Sequence, residues 1–165
     1  MLKQSILDGL NRQVALELSS SYGYLALAVW FEQQVLDGFE AYFLKQVEEE
    51  RGHAMKILEY IQDQNAVAKL EAIAVPKQQY GSPLDAAKAA REAERNNTAS
   101  INAIYAQAVK ENDIATQRML DWFITEQVEE EKWAEDLVSL LERAGDNQAA
   151  VLELDEQWGE RAKGE

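Results

Sequence analysis

The sequence predicts an all-α protein: a four-helix bundle with one long crossover connection and a short fifth helix at the C-terminus. Along four segments, apolar residues recur every three or four positions, which is the spacing of a buried helix face. Short turns join the first segment to the second and the third to the fourth, whereas an irregular stretch, 64–81, separates the two pairs. The 165 residues suffice for one domain with a real core, and residues 1–165 are expected to form it.

Turn residues bound the first two helices. The first helix is expected from about Ser5 to about Gln34, because Ser5 with Asp8 resembles a capping box, in which two side chains satisfy free N–H groups at a helix start. Residues 36–38 (Leu-Asp-Gly) are expected to form a short turn. The second helix then covers residues 39–63 to within a few positions.

The third helix has a well-marked start. Ser82 is a preferred N-cap residue, and Pro83 occupies the first helical position, where proline loses no hydrogen bond. This helix is expected to run to about Glu111. Asn112 and Asp113 then make a turn and cap the fourth helix.

A glycine separates the last two helices. The fourth helix is expected to end before Gly145, a C-cap glycine. The fifth begins at Asp146 or Asn147. Its apolar residues are Val151, Leu152, Leu154 and Trp158.

The irregular stretch 64–81 decides the topology. Helices of this length span roughly 40 Å at 1.5 Å per residue, and an extended chain of about 18 residues reaches further. The connection can therefore cross the whole bundle, which makes the second and third helices parallel. The short turns make the other sequential pairs antiparallel, and one long crossover is a known arrangement of four-helix bundles.

Each of the four apolar stripes is interrupted near its middle by polar side chains of the types that coordinate metals. Midpoints coincide in a bundle whatever the helix directions, so these groups should meet in one layer of the core. Burying several carboxylates together is prohibitive unless a cation neutralises them. The interrupting residues are Glu17, Glu50 with His53, Glu94, and Gln127 with Glu130.

This set of side chains suits a pair of metal ions. Glu50 and His53 are three residues apart and project from one helical face. Four carboxylates and one imidazole can hold two divalent ions, with one carboxylate bridging, and oxygen-rich ligands favour iron or manganese. The alternative interpretation is a hydrogen-bonded polar network without metal.

Composition excludes several other classes of function. The chain has 16 Lys and Arg against 30 Asp and Glu, a formal charge of −14, which disfavours binding to nucleic acid. It has no cysteine, so disulfides, thiolate metal sites and cysteine-held clusters are excluded. The N-terminus has no apolar run of signal-peptide type, and the most apolar stretch, 22–31, is too short to span a bilayer. A cytoplasmic location without membrane association is the expectation.

With these residues in place, the chain resembles a ferritin over nearly its whole length, and the ferritin-like fold is therefore expected. The resemblance is carried by Glu17, the run 48–53 (Glu-Glu-Glu-Arg-Gly-His), Glu94 and the run 126–130 (Glu-Gln-Val-Glu-Glu). It is greatest to the non-haem bacterial ferritins, whose last bundle helix carries Gln-x-x-Glu. Haem-containing bacterioferritins have a methionine where this chain has Arg51, so no haem is expected.

The resemblance implies a ferroxidase that oxidises Fe(II) with O₂ or H₂O₂ and stores a ferric mineral. In that family pattern, Glu17 and His53 bind the first iron and Glu50 bridges both. The remaining roles are second-iron ligands at Glu94 and Glu130, and an amide beside them at Gln127. A non-storage di-iron oxidase or peroxidase of the same fold is the alternative.

The resemblance also implies accessory residues. A third iron often binds beside the pair in this group, here at Glu49, Glu126 and Glu129 with Glu130 shared. Tyr24 lies two turns after Glu17 on the same face, where a ferritin tyrosine can supply an electron; packing with a hydrogen bond is the competing role. For Trp122, core packing is favoured over electron donation.

Assembly is expected from the resemblance alone. Ferritins form hollow cages, and a homo-oligomeric 24-mer is expected, with the fifth helix near the fourfold axes. The acidic residues expected to face the cavity are Glu59, Asp63 and Glu142. The residues expected at the threefold pores, at the start of the fourth helix, are Asp113, Gln117 and Asp121.

Overall fold

In the computed structural model, which describes residues 2–164, the chain forms five helices and residues 2–164 contain no β-strand. This confirms the predicted all-α fold. The elements are α1 (Gln4–Gln33), α2 (Asp37–Asp63), α3 (Pro83–Lys110), α4 (Ile114–Ala144) and α5 (Gln148–Lys163).

The connection between α2 and α3 crosses the bundle along α1. Near its start the backbone N–H of Lys69 donates to Asn11 Oδ1 at 2.9 Å, and near its end the Tyr80 ring meets Trp30 at 5.6 Å between centroids. Asn11 and Trp30 lie at opposite ends of α1. Since the connection covers this length, α2 and α3 start at the same end of the bundle, as the topology argument predicts.

Two predicted caps, Ser82 and Asp113, are confirmed, and Asn147, predicted only as a possible start of the fifth helix, is a third cap. Ser82 Oγ accepts the Asp85 N–H at 3.1 Å, with Pro83 at the first helical position. Asp113 Oδ1 accepts the Thr116 N–H at 3.0 Å, and Asn147 Oδ1 accepts N–H groups at the start of α5. The predicted C-cap glycine, Gly145, has φ of +53°, a conformation that other residues rarely adopt.

Two local predictions are wrong. Ser5 is not a cap: α1 begins one residue earlier, and the Ser5 hydroxyl donates instead to the Glu111 carboxylate at the far end of α3. Residues 36–38 do not form a turn either, because α2 already begins at Asp37. A Cβ on Gly38 would lie 1.8 Å from the backbone oxygen of Asp155, so this glycine allows the close approach of α5.

Two apolar clusters fill the bundle on either side of its middle. The cluster nearer α5 is rich in aromatic residues and includes Phe31, Phe39, Phe43 and Trp158. The other is mainly aliphatic and includes Leu10, Ile57, Ile61, Ile101 and Leu120. The mid-bundle layer between them is where the polar residues lie.

Among the helices within residues 2–164, only α1 is long and apolar enough to meet a composition criterion for a membrane span, with a mean hydropathy of 1.2 in its most apolar window. The apolar part of α1 is thus longer than the stretch 22–31 on which the sequence-based expectation was founded. Here α1 packs against α2 and α3, and core helices meet the same criterion.

Candidate metal centre

The five predicted ligands converge in one buried layer. Glu17, Glu50 and Glu94 are fully buried, and His53 and Glu130 are nearly so. Two sets each have one potential ligand atom per residue within 4.8 Å of one another. The sets are Glu17, Glu50 and His53, and Glu50, Glu94 and Glu130.

Glu50 is common to both sets, so its carboxylate lies between two potential metal positions. The helix geometry explains this. Glu50 and His53 project from one face of α2, while Glu17 reaches them from α1. Glu94 and Glu130 reach Glu50 from α3 and α4.

Three of the four carboxylates are held by hydrogen bonds. Glu17 accepts from two buried side-chain amides, Gln13 Nε2 at 2.8 Å and Asn97 Nδ2 at 3.0 Å. Glu94 accepts from the Tyr24 hydroxyl, and from Gln127 Nε2 at 3.1 Å.

The third carboxylate, Glu130, accepts from the indole N–H of Trp133. Glu50 differs from the other three: within residues 2–164, neither of its carboxylate oxygens has a hydrogen-bond partner. His53 Nδ1 lies 3.8 Å from Glu50 Oε2 and 3.7 Å from Glu17 Oε2, too far for a hydrogen bond. An unpaired buried carboxylate is costly unless it is protonated or meets a cation.

The electrostatics of the metal-free layer follow from this crowding. Burial raises the pKa of Glu50, and the nearby carboxylates raise it further. Burial and the Glu94 charge raise the pKa of Glu130 to about 8. Burial opposes the ionisation of Glu17, but the neighbouring His53 and Glu50, together with the Gln13 and Asn97 amides, outweigh burial and lower its pKa.

His53 shows the opposite response to the same surroundings. Burial acts to lower its pKa, but Glu17 and Glu50 outweigh burial and raise the pKa to about 11. Without metal, the raised pKa values of Glu50, Glu130 and His53 favour the binding of protons in the layer. Divalent cations would displace these protons.

The predicted third site is only partly assembled. Glu126 joins His53 and Glu130 in a convergent set. Within the described residues, Glu49 and Glu129 belong to no such set, since Glu49 pairs with Lys45 at 3.6 Å and Glu129 is exposed. A third iron at Glu49, Glu126 and Glu129 stays a prediction.

The two candidate electron donors lie in different environments. Tyr24 is buried, donates to Glu94, and packs against Phe43, with the ring centroids 5.6 Å apart. Burial raises its pKa well above the usual range. The prediction of core packing for Trp122 is wrong, because this side chain is 39% exposed; its ring meets the His53 ring edge to face, with the centroids 5.4 Å apart.

Sequence reasoning missed two residues of the layer. Gln13 and Asn97 are fully buried and hold Glu17. Gln13 lies four positions before Glu17 and Asn97 three after Glu94, which are same-face spacings. That spacing was the available signal, whereas the contact between α1 and α3 was not visible in the sequence.

A bundle whose helices each send carboxylates into one buried mid-bundle layer defines the class of the ferritin-like dimetal carboxylate proteins. A family model described as a ferritin-like domain matches residues 7–144. The chain therefore belongs to the ferritin family.

Known proteins resemble the chain over nearly its full length. It is 35% identical to a bacterial non-heme ferritin of Bacteroides fragilis (strain 638R) over 161 residues, which cover 98% of this chain and 100% of the relative. A bacterial non-heme ferritin of Staphylococcus aureus (strain USA300) is 34% identical, covering 98% and 97% of the two chains. The open pore ferritin of the archaeon Archaeoglobus fulgidus superposes with a TM-score of 0.94 at 35% identity, covering 96% and 98%.

Proposed function

We propose that the protein is a cytoplasmic iron-storage ferroxidase. It oxidises Fe(II) with O₂ or H₂O₂ in the mid-bundle layer and deposits ferric oxyhydroxide inside a homo-oligomeric cage. The observation that carries this proposal is Glu50: a fully buried carboxylate without a partner among residues 2–164, shared by two convergent ligand sets. The names of the relatives support iron as the metal.

The two sets correspond to two substrate ions. Glu17 and His53 would bind one Fe(II), and Glu94 and Glu130 the other. Glu50 would bridge them, because both of its oxygens are free to coordinate. The carboxylates and imidazole are hard and intermediate ligands suited to iron.

The electrons balance with two iron ions per reaction. Each Fe(II) gives up one electron, and the pair reduces one O₂ to H₂O₂, or one H₂O₂ to two water molecules. Ferric ions then hydrolyse to oxyhydroxide and release protons. The Oε1 atom of Gln127 has no partner within residues 2–164 and can accept a hydrogen bond from water or peroxide.

Tyr24 is placed to take part in the electron transfer. Its hydroxyl donates to Glu94, so the carboxylate can take the proton when the phenol loses an electron. The phenol could thus supply an electron when only one Fe(II) is bound. Packing against Phe43 keeps the ring fixed in the layer.

A 24-mer cage is part of the proposal and follows from membership in the family. The archaeal structural relative is described as an open pore ferritin, and no cage or pore is part of the structure, which describes residues 2–164 of a single chain. Pore residues and cavity-facing acidic residues therefore remain predictions for this chain.

Aerobic addition of Fe(II) to purified protein tests the proposal. The wild-type chain should oxidise iron rapidly, and Glu50→Ala and His53→Ala should slow oxidation by about 100-fold or more, since ligand loss exceeds the effect of losing a neighbouring group. Glu48→Ala is the matched control, because Glu48 is exposed on the same helix. Unchanged fast oxidation in Glu50→Ala would remove the assignment.

Sizing of the product separates storage from the alternative. A cage should retain far more iron than its binding sites hold and should sediment as a large, dense particle. A non-storage di-iron oxidase or peroxidase would saturate at a few ions per subunit and show no mineral.

A further inference from the structure

Two buried amides, Gln13 and Asn97, form a closed arrangement around Glu17. Gln13 Nε2 donates to Glu17 Oε1 at 2.8 Å and lies 2.5 Å from Asn97 Oδ1. Asn97 Nδ2 donates to Glu17 Oε2 at 3.0 Å. All three side chains are fully buried, so each hydrogen bond forms in a low-dielectric interior.

This arrangement fixes the carboxylate on both sides. One oxygen is held from α1, by Gln13, and the other from α3, by Asn97. An ionised carboxylate offers about four lone-pair positions, so one N–H on each oxygen leaves lone pairs for a metal. The plane of the Glu17 carboxylate is then set before any metal arrives.

Gln13 also sets the orientation of Asn97. Because Gln13 Nε2 donates to Asn97 Oδ1, the Asn97 amide must turn its Nδ2 toward Glu17. The opposite rotamer would point an amide oxygen at the carboxylate. Gln13 thus acts on Glu17 both directly and through Asn97.

The donors are neutral, and this matters for a cation site. A lysine or arginine would hold Glu17 equally well but would neutralise it and repel an incoming metal ion. Within residues 2–164, the only basic side chain within ion-pair distance of Glu17 is His53. The amides therefore orient the carboxylate while leaving its charge available.

From this geometry we propose that Gln13 and Asn97 are positioning residues that set the metal affinity of the Glu17–His53 half of the centre. This inference rests on the proposed function, since it assumes that the layer binds two metal ions. The other half is held by different groups, Tyr24 and Gln127 on Glu94 and Trp133 on Glu130. The two halves should therefore respond to different substitutions.

Titration with Co(II), followed by its visible absorption, tests the proposal without iron or turnover. The intact protein should bind two Co(II) ions in the layer. His53→Ala identifies the step that belongs to the Glu17–His53 half. Asn97→Leu and Gln13→Met should weaken that same step by about 10- to 100-fold, the usual effect of removing a group that orients a ligand, and should leave the other step within about threefold.

Asn11→Leu is the control for the loss of a buried amide. Asn11 lies on α1, as Gln13 does; it is buried, and it accepts a hydrogen bond from the backbone N–H of Lys69 in the crossover. This variant should lose thermal stability without changing either Co(II) step. If Asn97→Leu fails to fold, Gln13→Met still tests the same arrangement from the other helix.

The outcomes distinguish failure of the proposed function from failure of the inference about Gln13 and Asn97. If the intact protein binds no Co(II) in the layer, the proposed function fails and this inference fails with it. If two steps are present but the amide variants leave both unchanged, or weaken both equally, the inference is overturned and the proposed function stands. Selective weakening of the step that His53→Ala removes supports it.

Discussion

The aromatic cluster near α5 and the carboxylate layer beside it are both buried, but their side chains differ in the partners that burial gives them. In the aromatic cluster, apolar rings pack against one another; those of Phe31 and Phe43 stack with their centroids 5.4 Å apart. In the layer, Glu50 is just as buried and has no hydrogen-bond partner among the described residues. Burial of the rings stabilises the fold, whereas burial of the unpaired Glu50 carboxylate is costly unless a proton or a cation binds to it.

A buried carboxylate outside the layer sharpens the contrast. Asp155 on α5 is nearly buried, yet it accepts the backbone N–H groups of Gly38 at 3.1 Å and Phe39 at 2.7 Å at the start of α2. The positive end of the helix dipole and two free N–H groups satisfy it. Asp155 is therefore satisfied without a cation, whereas Glu50 has no hydrogen-bond partner among the described residues.

The largest expected effect lies in the aromatic cluster. Phe43→Ala should lower the free energy of unfolding by about 3–5 kcal/mol, because it removes a ring that packs against several others. Chemical denaturation of the metal-free protein measures this. Leu44→Ala, at an exposed neighbour, should change it little. A loss below that of the control would mean that the cluster is loosely packed.

The layer should respond in the opposite direction. Glu50→Leu should raise the free energy of unfolding of the metal-free protein by about 1–4 kcal/mol at pH 7, since an apolar group replaces a carboxylate buried without compensation. The raised pKa of Glu50 reduces the free energy of unfolding only above the pKa of this group in the unfolded chain, so the gain should vanish near pH 4. Glu48→Leu is the exposed control. Destabilisation at pH 7 would contradict the unpaired state of Glu50.

Metal binding should depend on pH because protons occupy the layer first. Below about pH 8, the pKa of Glu130, a metal ion must displace the proton on that carboxyl group. Affinity should then fall by about tenfold, or 1.4 kcal/mol, per pH unit for each displaced proton. Calorimetry with Zn(II) in buffers of different ionisation enthalpy counts the protons released. Glu130→Gln should release fewer, and an equal count would remove Glu130 from the site.

The smallest effect is expected at the satisfied carboxylate. Asp155→Ala should lower the free energy of unfolding by about 0.5–2 kcal/mol, as the loss of a helix cap does, and should leave Co(II) binding unchanged. Glu156→Ala, at the exposed neighbour on α5, is the matched control. Weaker Co(II) binding in Asp155→Ala would show that α5 influences the layer.

Much of the site could be predicted because helices are regular. Glu17, Glu50, His53, Glu94 and Glu130 interrupt apolar stripes at the same height, and the structure brings all five together. The caps at Ser82 and Asp113 were predicted from local rules that act within one turn of a helix. The errors at Ser5 and at residues 36–38 arose where another helix, not the local sequence, supplies the partner: Glu111 at the end of α3 and Asp155 in the middle of α5.

The sequence by itself determined the periodic burial of four helices and the chemical type of the groups in the central layer, because both depend on spacing along one chain. Only the tertiary structure decided which of those groups are held. Gln13 and Asn97 meet Glu17 from different helices, and Glu50 is left without a partner among the described residues. Hydrogen bonds between helices depend on how the helices rotate and approach one another, and no pattern along a single helix encodes that.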